Sequence, residues 1–208
     1  MTGILSAVRR QRVAFDETDL DVLVAVAGYL AAALEAAQLH ERFREQATTD
    51  GLTGLANHRA LRRALERELA RSRRSGQPVS VVFVEIDGFK KINDQFGHLH
   101  GDEVLRAVAA VLRGSCRETD LAARFGGDEF VLLFPETGKQ NAALAAERVR
   151  QGMAGIENQL SRVTASFGIA TCLDSGVSAD ALAHALLEAA DRAMYQAKRA
   201  GGNRIVMD

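Results

Sequence analysis

Cysteine is scarce in this sequence, with only Cys116 and Cys172 among 208 residues. The two lie far apart, and neither belongs to a Cys-x-x-Cys pair or to a cysteine and histidine pattern typical of metal sites. This spacing excludes a disulfide framework and a zinc site. So few cysteines are typical of a reducing compartment, and we therefore expect a cytoplasmic protein.

Neither charge nor hydrophobicity is in large excess. The net charge is -1, whereas a nonspecific nucleic-acid binder needs a positive excess to neutralise a phosphate backbone. The most membrane-like run, Val22 to Leu34, ends at Glu35 and is shorter than the roughly 18 residues that a span requires. We therefore expect no nucleic-acid partner, no signal peptide and no membrane span. Hydrophobic residues make up 47% of the chain, enough for a sizeable core in one domain.

The first 47 residues differ from the rest of the chain. Gly3 to Val8 fits a short strand, Phe15 to Asp21 an acidic helix start, and the alanine-rich stretch to about Gln46 a long helix. A heptad seam runs along this helix at Leu23, Ala27, Leu30, Leu34 and Ala37. The seam favours either a contact between two copies of the chain or packing on the core of the helix's own domain.

Residues 1–47 resemble the closing strand and last helix of a GAF sensory domain, whose final helix commonly continues as a dimeric connector into an output domain. The resemblance covers about the last quarter of such a domain. It implies that the sensing pocket is missing here. We expect a second domain at residues 48–208, where the pattern of the sequence changes.

Residues 48–208 alternate between helix and strand patterns, which predicts an α/β (α+β) domain. We predict helices at Arg59–Ser75, Phe89–Phe96, Asp102–Leu112, Gly138–Met153 and Ser178–Ala200, a loop at Gly97–Gly101, and strands at Val79–Ile86, Leu121–Phe125, Phe130–Phe134, Val163–Thr171 and Arg204–Met207. In Val79–Ile86 both the odd-numbered and the even-numbered residues are mostly apolar, so we expect a central strand that is covered on both faces.

The heptapeptide Arg124-Phe-Gly-Gly-Asp-Glu-Phe130 joins two of these strands. Paired glycines between strands predict a tight hairpin, because both can adopt positive φ, and this puts Asp128 and Glu129 at its tip. Adjacent carboxylates attract a hard cation such as Mg2+, and glycine lets the phosphate of a substrate approach the backbone. An ordinary acidic turn is the alternative reading of these four residues alone.

A second acidic pair, Glu85 and Asp87, lies at the exit of the strand Val79–Ile86. Sheet hydrogen bonding can bring this exit beside the hairpin tip. We therefore expect four carboxylates to converge, a concentration of negative charge that requires a cation.

Several motifs together resemble the GGDEF family of diguanylate cyclases. They are Asp50-Gly-Leu-Thr-Gly-Leu-Ala-Asn57, Glu85-Ile-Asp-Gly-Phe-Lys-Lys-Ile-Asn-Asp-Gln-Phe-Gly-His-Leu-His-Gly-Asp102, the heptapeptide above, Ser166-Phe-Gly-Ile-Ala170 and Ala190-Asp-Arg-Ala-Met-Tyr-Gln-Ala-Lys198. The resemblance implies a palm-like nucleotide-cyclase fold with a central mixed sheet flanked by helices. It also implies condensation of two GTP into cyclic di-GMP and pyrophosphate by two facing domains, hence a homodimer, which we expect to form through the N-terminal helix.

The resemblance also assigns roles to individual residues. Glu85, the Ile86 carbonyl and Asp128 are implied to hold Mg2+ (or Mn2+), Asp128 or Glu129 to activate the attacking hydroxyl, and Lys90 to stabilise transition-state charge. The implied substrate contacts are Phe89, Asn93, His98, Asp102, Gly126, Gly127 and Lys198, with Asn93 and Asp102 reading guanine and Lys198 reaching the triphosphate. Without the resemblance, Lys90 would be a solvated helix lysine and His98 a loop-capping residue.

Two positions depart from the family pattern. Glu85 replaces the usual aspartate and adds a methylene to a ligand of a geometrically strict ion, which predicts reduced activity. Gly202 replaces a frequent phosphate-binding arginine, which predicts weaker GTP binding.

A regulatory site is also implied. Arg117 and Asp120 match an RxxD motif at which cyclic di-GMP inhibits its own synthase, and Arg148 matches an arginine that a neighbouring domain contributes. A surface ion pair is the alternative. Two other functions stay open: a weakly catalytic domain that acts as a receptor for cyclic di-GMP or GTP, and synthesis of a mixed GMP-AMP dinucleotide, which the guanine-reading Asp102 disfavours.

Overall fold

A computed structural model describes residues 16–46, 48–156, 162–172 and 178–208, with the side chains of residues 37–46 left out. Contacts divide the chain between Ala47 and Thr48 into two compact units. The predicted strand Gly3–Val8 lies outside the described residues, so it stays a prediction, as does the resemblance to a GAF domain.

The first unit contains one long helix, α1, at Glu17–Gln46. Acidic residues in its first turn, Glu17 and Asp19, complement the helix dipole. Apolar side chains are exposed along its length, among them Leu30 at 47% and Leu34 at 62%. No helix among the described residues is long and apolar enough to cross a membrane.

The second unit is a six-stranded mixed sheet with helices on both faces. In chain order its elements are β1 (Ala56–Asn57), α2 (His58–Ser75), β2 (Val79–Ile86), α3 (Phe89–Phe96), α4 (His98–Ser115), β3 (Leu121–Arg124), β4 (Glu129–Phe134), α5 (Lys139–Met153), β5 (Ala165–Cys172), α6 (Ala179–Arg199) and β6 (Ile205–Met207). The sheet order is β1-β3-β4-β2-β5-β6. The central mixed sheet flanked by helices that the sequence predicted is confirmed.

Strand β2 lies at the centre and pairs antiparallel with both β4 and β5. Its even-numbered residues, such as Val82 and Val84, pack in one core with α3, α4 and α5. Its odd-numbered residues, such as Val81 and Phe83, pack in a second core with α2 and α6. Glu85 continues the odd-numbered row, so the α2 and α6 side of the sheet is the side that carries its carboxylate.

Helix α6 approaches the sheet unusually closely at Gly168 of β5. A Cβ atom at Gly168 would lie 2.0 Å from the Ala190 carbonyl oxygen and 2.1 Å from the Met194 nitrogen. Only glycine permits this approach of helix backbone to strand backbone. The contact sets the position of α6, and therefore of Lys198 one turn further along.

The predicted loop Gly97–Gly101 is wrong, because α4 begins at His98. Gly97, with φ 83°, alone separates α3 from α4. Gly101 is helical and buried instead, and the absence of a side chain there allows the close contact with Asn93 that is described below. His98 is therefore the first residue of a helix rather than a loop residue.

Candidate active site

The sheet register brings the strand-exit motif and the hairpin together. Glu85 of β2 lies directly opposite Glu129 of β4. The Ile86 nitrogen donates to the Asp128 carbonyl oxygen at 3.3 Å, so Asp128 lies in the loop just before β4 and beside the end of β2. The two motifs, more than forty residues apart in the sequence, thus meet at one edge of the sheet.

Lys198, near the end of α6, reaches the same edge. Its ammonium group donates to the Glu85 carboxylate. The Lys198 side chain is 32% exposed and that of Glu85 18% exposed, so the pair is largely shielded from water. The contact shows that a cation is accepted beside Glu85, and it connects α6 to the predicted metal-binding strand exit.

This crowding affects the pKa of Glu129. Burial raises its pKa above the ordinary value, and repulsion from Glu85, Asp128 and Asp191 raises the pKa further. Lys198 acts in the opposite direction but does not reverse the shift. The acidic cluster therefore holds more negative charge than the neighbouring lysine compensates.

The residues at this edge fit a magnesium ion by their chemistry. Glu85, Asp128 and the Ile86 carbonyl supply the hard oxygen ligands that Mg2+ prefers. The structure shows no group of three or more His, Cys, Asp or Glu side chains placed to hold a metal among the residues it describes. A set of two carboxylates and one main-chain carbonyl does not require such a group, and the uncompensated charge around Glu129 favours a cation.

The predicted hairpin forms without the positive φ that its two glycines permit. Neither Gly126 nor Gly127 has a left-handed backbone. The turn instead spans residues 126–128, since the Phe125 nitrogen donates to the Glu129 carbonyl oxygen at 2.8 Å. A Cβ atom at Gly126 would lie 2.7 Å from a Glu129 carboxylate oxygen. Gly126 therefore provides space for the Glu129 side chain.

Arg124 holds the hairpin turn to the beginning of the domain, a role that the sequence did not reveal. Its Nε and Nη2 donate to the Gly127 carbonyl oxygen at 3.1 and 2.7 Å, and its Nη1 contacts both Asp50 carboxylate oxygens at 3.3 Å. Asp50 also accepts from the Thr53 nitrogen and hydroxyl at 2.9 and 2.7 Å. Although burial acts to raise the pKa of Asp50, the bonds from Thr53 and Arg124 together lower it.

Asp87 departs from the predicted cluster of four carboxylates. Its two oxygens accept hydrogen bonds from Thr164, Ser166 and the Asn203 nitrogen instead. Three carboxylates, those of Glu85, Asp128 and Glu129, therefore remain at the hairpin.

The predicted guanine-reading residues lie on the adjoining helices α3 and α4. The Asn93 Oδ1 atom is buried and has no hydrogen-bond partner among the described residues. A Cβ atom at Gly101 would lie 1.9 Å from this oxygen and 3.2 Å from the Phe89 ring, so Gly101 makes room for both side chains. Asp102 follows directly and is partly exposed. An unpaired buried acceptor beside a carboxylate suits a ligand with N–H donors, as guanine has.

The remaining predicted substrate residues are solvent-facing. Lys90 on α3 and His98 at the start of α4 are both exposed, and Gly127 is exposed at the hairpin tip. Within the part of the chain that the structure describes, the side chains of Lys90 and His98 make no hydrogen bond. The side chains of Lys90 and His98 are thus available to a substrate, whereas the Gly127 carbonyl accepts from Arg124.

The predicted regulatory residues Arg117 and Asp120 form a turn between α4 and β3. The Arg117 nitrogen donates to the Asp120 carboxylate at 2.8 Å, and the Asp120 nitrogen donates to the Arg117 carbonyl oxygen at 3.1 Å. Both residues line a cavity of about 320 Å³, together with Arg113 and Cys116. Burial, with a contribution from Asp120, raises the pKa of the Cys116 thiol to about 11. Arg148 is exposed on α5 and does not line this cavity.

A second cavity, of about 360 Å³, lies beside Glu129 between α2 and α6. Its aromatic wall includes Phe125, whose ring lies 5.0 Å from that of Phe83 and 4.6 Å from that of His58. Asp191 lines it too. This cavity leaves space on the α6 side of the Glu129 carboxylate.

Comparison with known proteins adds independent observations. The family model described as "Diguanylate cyclase, GGDEF domain" matches residues 47–204. The chain is 42% identical over 166 residues to the diguanylate cyclase DgcP of Pseudomonas aeruginosa, which covers 78% of this chain and 24% of that protein. It is 41% identical over 168 residues to the response regulator PleD of Caulobacter vibrioides, covering 78% of this chain and 36% of that protein. The chain thus spans about a quarter to a third of the length of these relatives.

A solved structure is similar over most of the chain. The coiled coil and GGDEF domain of DgcB from Caulobacter crescentus, in complex with c-di-GMP, aligns with a TM-score of 0.72 and 32% identity. The alignment covers 90% of this chain and 99% of that one.

Proposed function

Because this chain belongs to the GGDEF family of diguanylate cyclases, we propose that its second unit condenses two molecules of GTP into cyclic di-GMP. The observation that carries the proposal is the meeting of Glu85, Asp128, Glu129 and Lys198 at one edge of the sheet. Carboxylates and a lysine ammonium at one point suit the attack of a 3'-hydroxyl on an α-phosphate. Asn93 and Asp102 lie on the adjoining helices, where they select guanine.

The residues divide the chemistry among them. A bound Mg2+, held by Glu85, Asp128 and the Ile86 carbonyl, would neutralise triphosphate charge and polarise the phosphoryl group. Glu129 has a raised pKa and is therefore a stronger base than an ordinary glutamate, which suits it to take the hydroxyl proton. Lys198 binds the triphosphate, and Lys90 stabilises the charge that develops as pyrophosphate leaves.

Each domain holds one GTP, so the reaction requires two domains that face each other. The exposed apolar side chains of α1 support a homodimer formed through that helix, since Leu30 and Leu34 lie in its heptad seam. Product binding at Arg117 and Asp120, with Arg148 from a neighbouring domain, would then hold the two active sites apart.

The direct test incubates the purified chain with GTP and Mg2+ at rising protein concentration and resolves the nucleotide products. We expect cyclic di-GMP and pyrophosphate, with a specific activity that increases with protein concentration. Asp128→Ala should abolish turnover, whereas Glu103→Ala, which removes an exposed carboxylate on α4, should retain it. Absence of cyclic di-GMP at concentrations where the chain is dimeric would contradict the proposal.

A second function, a receptor for cyclic di-GMP, is favoured by one observation. The Lys198 ammonium engages Glu85, where it competes with a metal ion, while the 320 Å³ cavity beside Arg117 and Asp120 is separate from this pair. A receptor would bind cyclic di-GMP without making it. We expect Arg117→Ala to weaken cyclic di-GMP binding measured by calorimetry, and Arg106→Ala, a change on the exposed side of α4, to leave it unaltered. If both variants bind equally well, Arg117 has no part in the site.

A further inference from the structure

Asp87 is the most fully bonded carboxylate at the exit of β2. It accepts from the Thr164 hydroxyl at 2.8 Å, the Ser166 hydroxyl at 2.7 Å and the Asn203 nitrogen at 2.8 Å. Its own nitrogen donates to the Thr164 carbonyl oxygen at 2.9 Å. The donors come from two separate segments, β5 with the residues before it and the turn after α6, so Asp87 joins three parts of the chain.

The turn after α6 is shaped to meet this carboxylate. Gly201, Gly202 and Asn203 all have left-handed backbones, with φ of 109°, 72° and 48°. A Cβ atom at Gly202 would lie 2.9 Å from one Asp87 oxygen and 3.0 Å from the other. The carboxylate of Asp87 therefore occupies the space that a side chain at position 202 would need.

The same turn is bonded to the end of α6. The Gly201 nitrogen donates to the Lys198 carbonyl oxygen and the Gly202 nitrogen to the Ala197 carbonyl oxygen, both at 3.0 Å. A group that fixes the turn thus also fixes the last turn of α6, which carries Lys198. The other end of the Lys198 side chain is bonded to Glu85, two residues before Asp87.

We propose that Asp87 is a positioning residue, and not a metal ligand, that fixes Lys198 relative to the exit of β2. This inference rests on the function proposed above, because it assigns Lys198 to the triphosphate of GTP. Asp87 binds the turn that follows Lys198, while its main chain continues from Glu85 and Ile86. The Asp87 carboxylate already accepts three hydrogen bonds, which leaves it little capacity to bind a metal as well. Gly202 belongs to the same arrangement, because its φ of 72° favours glycine and a Cβ atom there would press on the Asp87 carboxylate.

The test measures binding of 3'-deoxy-GTP with Mg2+ by calorimetry, since this probe lacks the attacking hydroxyl and binds without turnover. Asp87→Ala should weaken binding by about tenfold, the loss of one interaction with a charged group. Asp87→Asn should remain within about threefold of the wild type, because an amide can accept from Asn203 and donate to a hydroxyl. If Asp87 were a metal ligand, both variants would instead lose affinity for the probe.

Two further comparisons separate positioning from a general loss of structure. In a Lys198→Met background, Asp87→Ala should cause no further loss of affinity, whereas a purely structural effect would add to that of Lys198→Met. Gly202→Ala should weaken probe binding, but Gly76→Ala should not. Gly76 has a matching φ of 69° and nothing within 4 Å of an added Cβ, so it controls for backbone strain. The Gly202 comparison also decides the matter if Asp87→Ala does not fold.

Several results would overturn the inference. They are wild-type affinity in Asp87→Ala, equal losses in Asp87→Asn and Asp87→Ala, additive losses with Lys198→Met, equal effects of Gly202→Ala and Gly76→Ala, or failure of the wild type to bind the probe. Failure of the proposed function has a different signature. A wild type that binds 3'-deoxy-GTP but makes no cyclic di-GMP from GTP would remove the enzyme and leave the role of Asp87 intact.

Discussion

At the level of single residues, Gly126 and Gly127 have different neighbours although they are adjacent and identical. A methyl group on Gly126 would press on the Glu129 carboxylate, whereas one on Gly127 would meet no atom of the chain within 4 Å. The obstructing atom is the end of a flexible side chain, so Gly126→Ala should move Glu129 rather than unfold the domain.

We therefore expect Gly126→Ala to lower kcat by roughly tenfold to a hundredfold, the effect of displacing a reacting group by about 1 Å, with little change in Tm. Gly127→Ala should leave kcat unchanged, because an added Cβ atom there meets no atom of the chain within 4 Å. Steady-state kinetics and thermal unfolding of the two variants provide the measurement. Equal losses of kcat would show that space for Glu129 is not what distinguishes the two glycines.

Glu129 itself should cost the metal-free domain stability. Its pKa is raised above the ordinary glutamate value of 4.5, so the folded state holds the proton more tightly than the unfolded chain does. Stability then falls as pH rises from the unfolded pKa through the folded pKa. Glu129→Gln removes this effect and should raise Tm at pH 7 by about 1 to 3 °C.

The increase should shrink as pH falls through the ordinary glutamate pKa of 4.5 and disappear well below it, where the carboxyl is protonated in both states. Thermal unfolding in EDTA across this range measures it. Glu118→Gln, which alters an exposed residue in the loop before β3, serves as the control. A Tm increase from Glu129→Gln that does not depend on pH would contradict the electrostatic explanation.

At the level of elements, the turn of the β3–β4 hairpin is connected to Asp50 by the guanidinium of Arg124, the last residue of β3, which bridges Asp50 and the Gly127 carbonyl. A lysine has a single ammonium and cannot reproduce this planar fork. We expect Arg124→Lys to increase amide hydrogen exchange at residues 126–129 and to lower turnover, while exchange in the core of α5 stays unchanged.

The matched control is Arg106→Lys, the same chemical change at an exposed position on α4. Asp50→Asn should resemble Arg124→Lys, because it removes the charge on the other side of the bridge. If exchange at residues 126–129 is the same in Arg124→Lys as in the wild type, the turn is held by its own backbone bonds and not by Arg124.

Local pattern predicted most of the elements but not the contacts between them. The strand Val79–Ile86 and the helix Phe89–Phe96 have the bounds that their apolar periodicity indicated. The roles of the glycines were harder to predict, because glycine permits a left-handed backbone without requiring one. Gly101 and Gly126 provide room for neighbouring side chains, and neither role can be seen without the neighbour.

The role of Asp87 was hidden for a related reason. Its partners Thr164 and Asn203 lie more than seventy residues away in sequence. The pairing of β2 with β5 brings Thr164 close, and the pairing of β5 with β6 brings the turn that contains Asn203 close. The motif resemblance marked Asp87 as acidic and close to Glu85 in the chain. It implied a metal-binding role for Glu85 but gave Asp87 none, and it could not show that Asp87 contacts the turn after α6.

At the level of the whole molecule, α1 exposes apolar surface that a dimer would cover. Leu30 and Leu34 lie in the heptad seam, whereas Tyr29 is 81% exposed and lies outside it. We expect the double variant Leu30→Glu and Leu34→Glu to be monomeric in analytical ultracentrifugation, and Tyr29→Glu to behave as the wild type.

A dimer formed in this way would also make activity depend on protein concentration. The double variant should lose most of its turnover at low protein concentration and recover part of it at high concentration, where domains meet without the helix. Full turnover in a chain that sediments as a monomer would contradict a requirement for two facing domains.

The contact of α6 with the backbone of β5 at Gly168 fixes the point about which the helix would rotate if it moved on the sheet. Met194 touches the strand there, and Lys198 lies one helical turn beyond. A single methyl group at Gly168 would tilt the helix about that point and lift the ammonium away from Glu85. The position of the Lys198 ammonium beside Glu85 thus depends on a single hydrogen atom of Gly168 on β5, the strand next to the one that carries Glu85.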